Sequence, residues 1–464
     1  MMYDTIIKNG IIATASDTFK ADILIKNELI VGFTSNSNDL DAKSVIDASG
    51  KFVMPGFIDT HVHSRDGVNG AHYKEDFFHS SMAGAVSGFT TIYEMPNCNP
   101  AVYNVEMLNS LINCITKKAH VDFGVWGLCL GDLNINELEA LSEAGVVGFK
   151  FFWGYAIDSK NYQLIYNYRD GMENVIPPLS HAEIFRMFQR ISKTGKRIAI
   201  HAEDFDVIKA LTDKVMTTND RSYEALLRSR PALSETTVIQ TAVDYAKLTG
   251  AKLHILHMAA GGGVDIVKAA QDEGFPITGE TCPHYLALTN EDATRCGSSM
   301  KGYPPVREKH HQDKLWEGLK NGTLSIVCSD HAPHSPEEKQ KPLFEAPAGM
   351  ASIETMSLIM LDAVNHGKLT LNKLVEVLST NPAKLFGTYP KKGNLNIGAD
   401  ADIVIVDIDK EYTFHQNDLH SRTKLSPYNG FTFKGKPIVT ILRGNIIAQD
   451  GEIVSPPSGR FIKA

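Results

Sequence analysis

The chain has 464 residues, 43% hydrophobic and 22% charged, which excludes a peptide or a single small module and argues against global disorder. Forty-six Lys and Arg against 54 Asp and Glu give a formal net charge of −8 with no dense basic stripe, which argues against a dedicated nucleic-acid binder. No run reaches the roughly 18 apolar residues of a bilayer span. The opening MMYDTIIKNG lacks a signal-peptide layout, and six scattered cysteines without a CxxC pair read as reduced thiols, so a cytoplasmic protein is expected.

From the N-terminus, TIIKNGIIAT and ADILIKNELIVGF are short apolar runs broken by Asn-Gly and charged residues, a strand-and-turn texture. It returns near the C-terminus in ADIVIVDID and GKPIVTILRGNIIAQDGEIV. Between these ends, strand-like runs alternate with longer helical patterns. The runs predict strands at 57–63, 89–95, 121–128, 146–152, 197–202, 252–257, 276–281 and 324–329. Eight strands with helical intervals predict an α/β fold, a (β/α)8 TIM-like barrel over 56–387. The terminal pieces, 1–55 and 388–464, are expected to form one small discontinuous β-sandwich domain. A long irregular insertion, 153–180, follows the fourth strand and is rich in aromatics; on that barrel face it is expected to be functional.

His61 and His63 end the first strand two residues apart, so both imidazoles point to one face, the barrel mouth. Lys150 lies in the fourth strand, His201 ends the fifth, His257 ends the sixth, and Asp330 follows the eighth. In this fold the chemistry gathers at the C-terminal ends of strands. Three to four histidines with a carboxylate suit zinc or a similar borderline divalent ion. Lys150 is the odd member, because an ammonium cannot bind a cation. It stands in the apolar run GVVGFKFFWG, however, and burial favours the neutral amine. A neutral amine can add carbon dioxide and become a carbamate whose two oxygens bridge two metals.

Together, PGFIDTHVH, the FK of the fourth strand, AIHAED, HILHMA, TCPHYL, YPPVRE and SDHAPH resemble the cyclic amidohydrolases, the group of dihydroorotases, hydantoinases (dihydropyrimidinases) and allantoinases. The resemblance runs along essentially the whole chain. It implies that His61, His63 and Asp330 hold one metal, that carboxylated Lys150 bridges, and that His201 and His257 hold the second. It further implies that a water made acidic by the two ions attacks the ring carbonyl. Asp330 would then carry its proton to the leaving nitrogen. A small cyclic amide is the expected partner, and a homodimer or homotetramer the expected assembly, with no nucleic acid and no membrane.

Substrate choice rests on neighbours. Arg65, Asn97 and His334 match the residues that grip a carboxylate in dihydroorotases, and a guanidinium with two further donors makes a sensible anion clamp. The alternative is a loop salt bridge for Arg65 and a solvated His334. Tyr155, five residues after Lys150, matches a tyrosine that touches the substrate carbonyl in dihydropyrimidinases. Tyr303 stands where D-hydantoinases commonly have serine. Three matched positions against one make a dihydroorotase-like activity the leading expectation, with a hydantoinase, dihydropyrimidinase or allantoinase as the alternative. A metal-free scaffold of the same fold is a third reading, opposed by the presence of all six ligand types. His254, three residues before His257, is expected to be a packing or supporting group, since alternation along the sixth strand sends it to the opposite face, and His310 and His311 are expected to be solvated. His284 is expected to support the barrel or orient a pocket residue, and Cys282 and Cys328 to be buried, inert thiols.

Overall fold

The computed structural model describes residues 2–166 and 168–464. Eight parallel strands lie within the predicted runs: Phe57–Val62 (β1), Phe89–Glu94 (β2), Asp122–Val125 continued by Gly127–Leu128 (β3), Phe149–Phe152 (β4), Arg197–His201 (β5), Lys252–Ile255 (β6), Ile277–Thr281 (β7) and Leu324–Val327 (β8). Each pairs with the next in chain order. The ring closes where the His63 amide donates to the His331 carbonyl at 2.8 Å. Both faces of each strand are covered, which is why the strands read as near-continuous apolar runs rather than as alternating ones.

A helix follows each strand: Phe77–Val86 (α1), Val105–Ile115 (α2), Leu138–Ala144 (α3), His181–Ser192 (α4), Ala232–Thr249 (α5), Gly261–Asp272 (α6), Lys309–Asn321 (α7) and Ile353–Asn365 (α8). Helix α4 illustrates the local logic. Ser180 and Glu183 form a reciprocal capping box at its start, and Ile184, Met187, Phe188 and Ile191 recur at helical spacing and are buried against the barrel. Among the described residues no helix is long and apolar enough to cross a membrane.

The two ends of the chain build the sandwich. One sheet has four strands, all from residues 3–47; the other has seven, in which Phe52–Pro55 lies between Ile11–Ala13 and Ile403–Thr413. Ile7, Ile23, Ile25, Val53, Ile403 and Ile441 share the core between them. The insertion after β4 is more regular than the sequence suggests: Ala156–Asp158 pairs with both Leu164–Ile165 and Val175–Ile176 in a small antiparallel sheet, and Asn167 lies outside the described residues.

A buried ion cluster ties barrel to sandwich. Lys392 Nζ lies 2.6 Å from Asp122 of β3, 2.6 Å from Asp402 and 2.8 Å from Asp400, and Arg443 also pairs with Asp122. Removing the shared cation strands buried carboxylates, which typically costs about 3–5 kcal/mol. Lys392→Met is therefore expected to lower unfolding stability by that order in a urea titration; a loss below about 1 kcal/mol would show that the cluster carries little.

Candidate metal centre

Two nitrogen pairs and a carboxylate converge at the C-terminal mouth of the barrel. His61 Nε2 and His63 Nε2 are 3.2 Å apart, and Asp330 Oδ1 lies 3.3 Å from the first and 3.4 Å from the second. Across the mouth, His201 Nδ1 and His257 Nε2 are 3.0 Å apart. Lys150 lines the same cavity of about 60 Å³. It is completely buried, its Nζ has no hydrogen-bond partner among the described residues, and the amine lies 4.3 Å from the centre of the Phe152 ring. Adjacent pairing of β4 and β5 sets Lys150 beside the His201 strand.

The outer nitrogens decide what the inner ones can do. His61 Nδ1 meets Glu280 Oε1 at 2.9 Å, His63 Nδ1 meets Asn97 Oδ1 at 2.8 Å, and His201 Nε2 meets Glu203 Oε2 at 2.9 Å. Each acceptor calls for a proton on the outer nitrogen, so the three inner nitrogens present lone pairs. Lone pairs facing one another at this spacing repel unless a cation lies between them. The donor set therefore fits divalent metal, with histidine and carboxylate ligands of the kind zinc takes.

Burial pushes His63 down to about 4 and lowers His201 and His257 as well, which keeps these three imidazoles neutral. It also depresses the Lys150 amine to about 7, so a free-base fraction exists at neutral pH. Arg230 donates to Glu203 at 2.6 Å and, together with His201, keeps that carboxyl at about 2 against the cost of burial.

Three residues at the mouth adopt left-handed backbone: Arg65 (φ 54°), His257 (φ 35°) and Asp330 (φ 47°). Such conformations cost on the order of 1–3 kcal/mol each and gather at functional sites. At His257 the consequence corrects the facing expected of its neighbour His254, though not its expected supporting role. Strand β6 ends at Ile255 and the chain turns, so simple alternation no longer relates 254 to 257. His254 bonds Glu280 Oε2 at 3.1 Å, and Glu280 in turn holds His61, so His254 supports the centre from within the barrel. His311 is corrected too: its Nδ1 accepts from the Gly261 amide at 3.0 Å at the start of α6. His284 is buried, and Cys282 and Cys328 are buried free cysteines with thiol pKa values raised by desolvation.

The expected anion clamp is only partly assembled. Arg65 lines the pocket, yet its Nε donates to the Pro333 carbonyl at 3.0 Å and its Nη2 lies 3.4 Å from the Ala332 carbonyl. His334 is neither solvated nor at the pocket wall: it is buried between Arg65 (3.0 Å) and Lys74 (3.2 Å) and reaches the Ala348 carbonyl. Asn97 lines the pocket with its oxygen committed to His63. Tyr155 lines it with its hydroxyl 3.1 Å from His201 Nε2, and Tyr303 lines it under the Arg230 guanidinium, 3.4 Å from the ring centre. Glu203, Glu280 and Tyr166 belong to this arrangement but were not picked out from the sequence. The usable signal for Glu280 was a carboxylate inside an otherwise uncharged strand.

Residues 52–447 match the model of the amidohydrolase family. The chain is 34% identical to the L-hydantoinase of Paenarthrobacter aurescens over 99% of its own length and 98% of that protein's. It is 33% identical to the allantoinase of Rubrobacter xylanophilus, again over 99% and 98%. Among solved structures, the L-hydantoinase (dihydropyrimidinase) from Arthrobacter aurescens superposes with a TM-score of 0.92 at 34% identity, each chain fully covered. A D-hydantoinase follows at 0.89 and 30%, over 99% of this chain and 98% of its own.

Proposed function

This chain belongs to the amidohydrolase family, and we propose that within it the protein opens a neutral cyclic ureide, a hydantoin or allantoin, at a two-metal centre. That it is a cyclic amidohydrolase of the hydantoinase and allantoinase type, a hydrolase of ring carbon–nitrogen bonds, follows from its full-length relatives. The dihydroorotase expectation is corrected by the same relatives, which are hydantoinases and allantoinases. The observation that carries the neutral substrate is the spent clamp. Arg65 is tied to the backbone of 332–333 and His334 is withdrawn behind it, while Tyr155 keeps a hydroxyl at the pocket wall.

In this reading His61 and His63 with Asp330 would hold one ion and His201 with His257 the other, with a carbamate on Lys150 as the further anionic ligand. The carbamate forms when the neutral Nζ attacks carbon dioxide and releases a proton. Two zinc ions would acidify a water and polarise the ring carbonyl. Glu280, Asn97 and Glu203 hold the imidazoles in the tautomer that faces the metals. Asp330 takes the proton of the attacking water and delivers it to the ring nitrogen as the C–N bond breaks. Tyr155 donates to the carbonyl oxygen as negative charge gathers there.

A panel of hydantoin, allantoin, dihydrouracil and dihydroorotate tests the assignment. Wild type is expected to open hydantoin or allantoin with a kcat/KM at least about a hundredfold above that for dihydroorotate, and a preference for dihydroorotate overturns the reading. Tyr155→Phe should lower kcat/KM on the preferred ring about tenfold, the worth of one hydrogen bond of roughly 1.4 kcal/mol.

A further inference from the structure

Two lysines outside the metal centre are buried without a counter-ion. Lys301, after β7, and Lys339, at the end of the short helix Pro336–Lys339, are both under 4% exposed. Among the described residues neither has a carboxylate within ion-pair distance. Their ammonium protons go to carbonyl oxygens instead. Lys301 Nζ donates to Leu343 (2.6 Å), Ala346 (2.5 Å) and, at 3.4 Å, Phe344. Lys339 Nζ donates to Gly349 (2.9 Å), Pro347 (3.1 Å) and the Lys301 carbonyl (3.2 Å). Three donors meet three acceptors in each case, so both side chains are satisfied.

All but one of the carbonyls they hold lie in 343–349, a stretch without helix or strand. Its backbone would otherwise have few fixed partners, and the lysines supply what a strand ladder supplies elsewhere. That stretch is also a wall of the substrate pocket. Ala348 and Gly349 line the metal cavity, and Phe344 lines the aromatic cavity that adjoins it. Gly349, at φ +126°, passes so close to Ala332 that an added Cβ would sit 2.3 Å from its carbonyl oxygen, so the wall has little room to shift and still fit.

We propose that Lys301 and Lys339 are positioning residues that fix the 343–349 wall of the substrate pocket, setting how tightly the ring is held while leaving the metal ligands alone. The inference rests on the proposed site, since it concerns the pocket of that same reaction. Neither lysine touches a metal ligand, and the wall reaches the pocket through backbone rather than through a reactive group.

The test uses the metal-loaded enzyme and the ring it opens fastest. Lys301→Met and Lys339→Met keep chain length and remove the donors; Lys301→Arg and Lys339→Arg restore charge and donors. The methionine variants are expected to raise KM about tenfold or more with kcat within about threefold and metal content unchanged, the arginine variants recovering part of the KM. Hydrogen exchange of amides 343–350 should quicken about tenfold in the methionine variants and stay unchanged in the barrel strands. That readout needs no substrate, so it decides the wall's role even if the wild type opens none of the rings tried. Wild-type KM and exchange in both methionine variants would overturn the proposal. So would metal loss accompanying the KM change, or failure of both variants to fold, either of which would make the lysines general structural supports.

Discussion

Lys150→Ala is expected to bind fewer than two metals per chain and to lose turnover by about 10³-fold or more. The magnitude follows from what the side chain is asked to do. The Nζ is fully buried, without a hydrogen-bond partner among the described residues and depressed to about 7, and it lies in the cavity shared by both nitrogen pairs. If it carries the bridging anion, its removal leaves two cations close together with no negative charge between them. Losing one or both ions then removes the Lewis-acid contribution of several kcal/mol. Short carboxylic acids such as acetate or propionate, which can occupy the vacated space with two oxygens, should restore part of both metal content and activity. An alanine variant that is fully active without any additive would dismiss the bridge altogether.

Asp330→Asn separates proton transfer from metal holding. The amide keeps an oxygen facing His61 and His63, so most of the metal should remain, yet it cannot accept a proton. General acid–base assistance is typically worth about 10²–10⁴-fold, and kcat should fall within that span while the thermal unfolding curve stays near wild type. Turnover within a few-fold of wild type would remove Asp330 from the proton path.

How much of this was legible beforehand differs by residue. The barrel strands were, because apolar runs of four to eight residues bounded by turn signals alternate with amphipathic helical spacing of the kind seen in α4. The residues of the centre were legible as types at strand ends. What could not be read was which hydrogen bonds they had already made. Arg65, Asn97 and His334 have the composition of a carboxylate clamp, but whether a guanidinium faces a ligand or its own loop depends on backbone carbonyls at 332–333, which carry no sequence signature. The supporting role of His254 was readable, but periodicity misjudged its facing because it assumed a strand persisting to 257, whereas the chain turns with a positive φ at His257. The lysines at 301 and 339 were invisible for a related reason: an isolated lysine reads as surface, and only the fold shows the carbonyls gathered around each amine.

The sandwich made from both ends has a bearing on synthesis. The strand Phe52–Pro55 is emitted early, but its neighbour Ile403–Thr413 emerges some 350 residues afterwards. At roughly 5–20 residues per second on the ribosome, the N-terminal strands wait on the order of 20–70 s for that partner. During the wait Val53, Ile23 and Ile25, all fully buried in the finished molecule, lack the C-terminal half of their core, and a sheet edge stays open. A nascent chain stalled before residue 403 should therefore be sticky and protease-sensitive at its N-terminus although much of its barrel sequence has been made, and a chaperone that shields exposed strands would act there first.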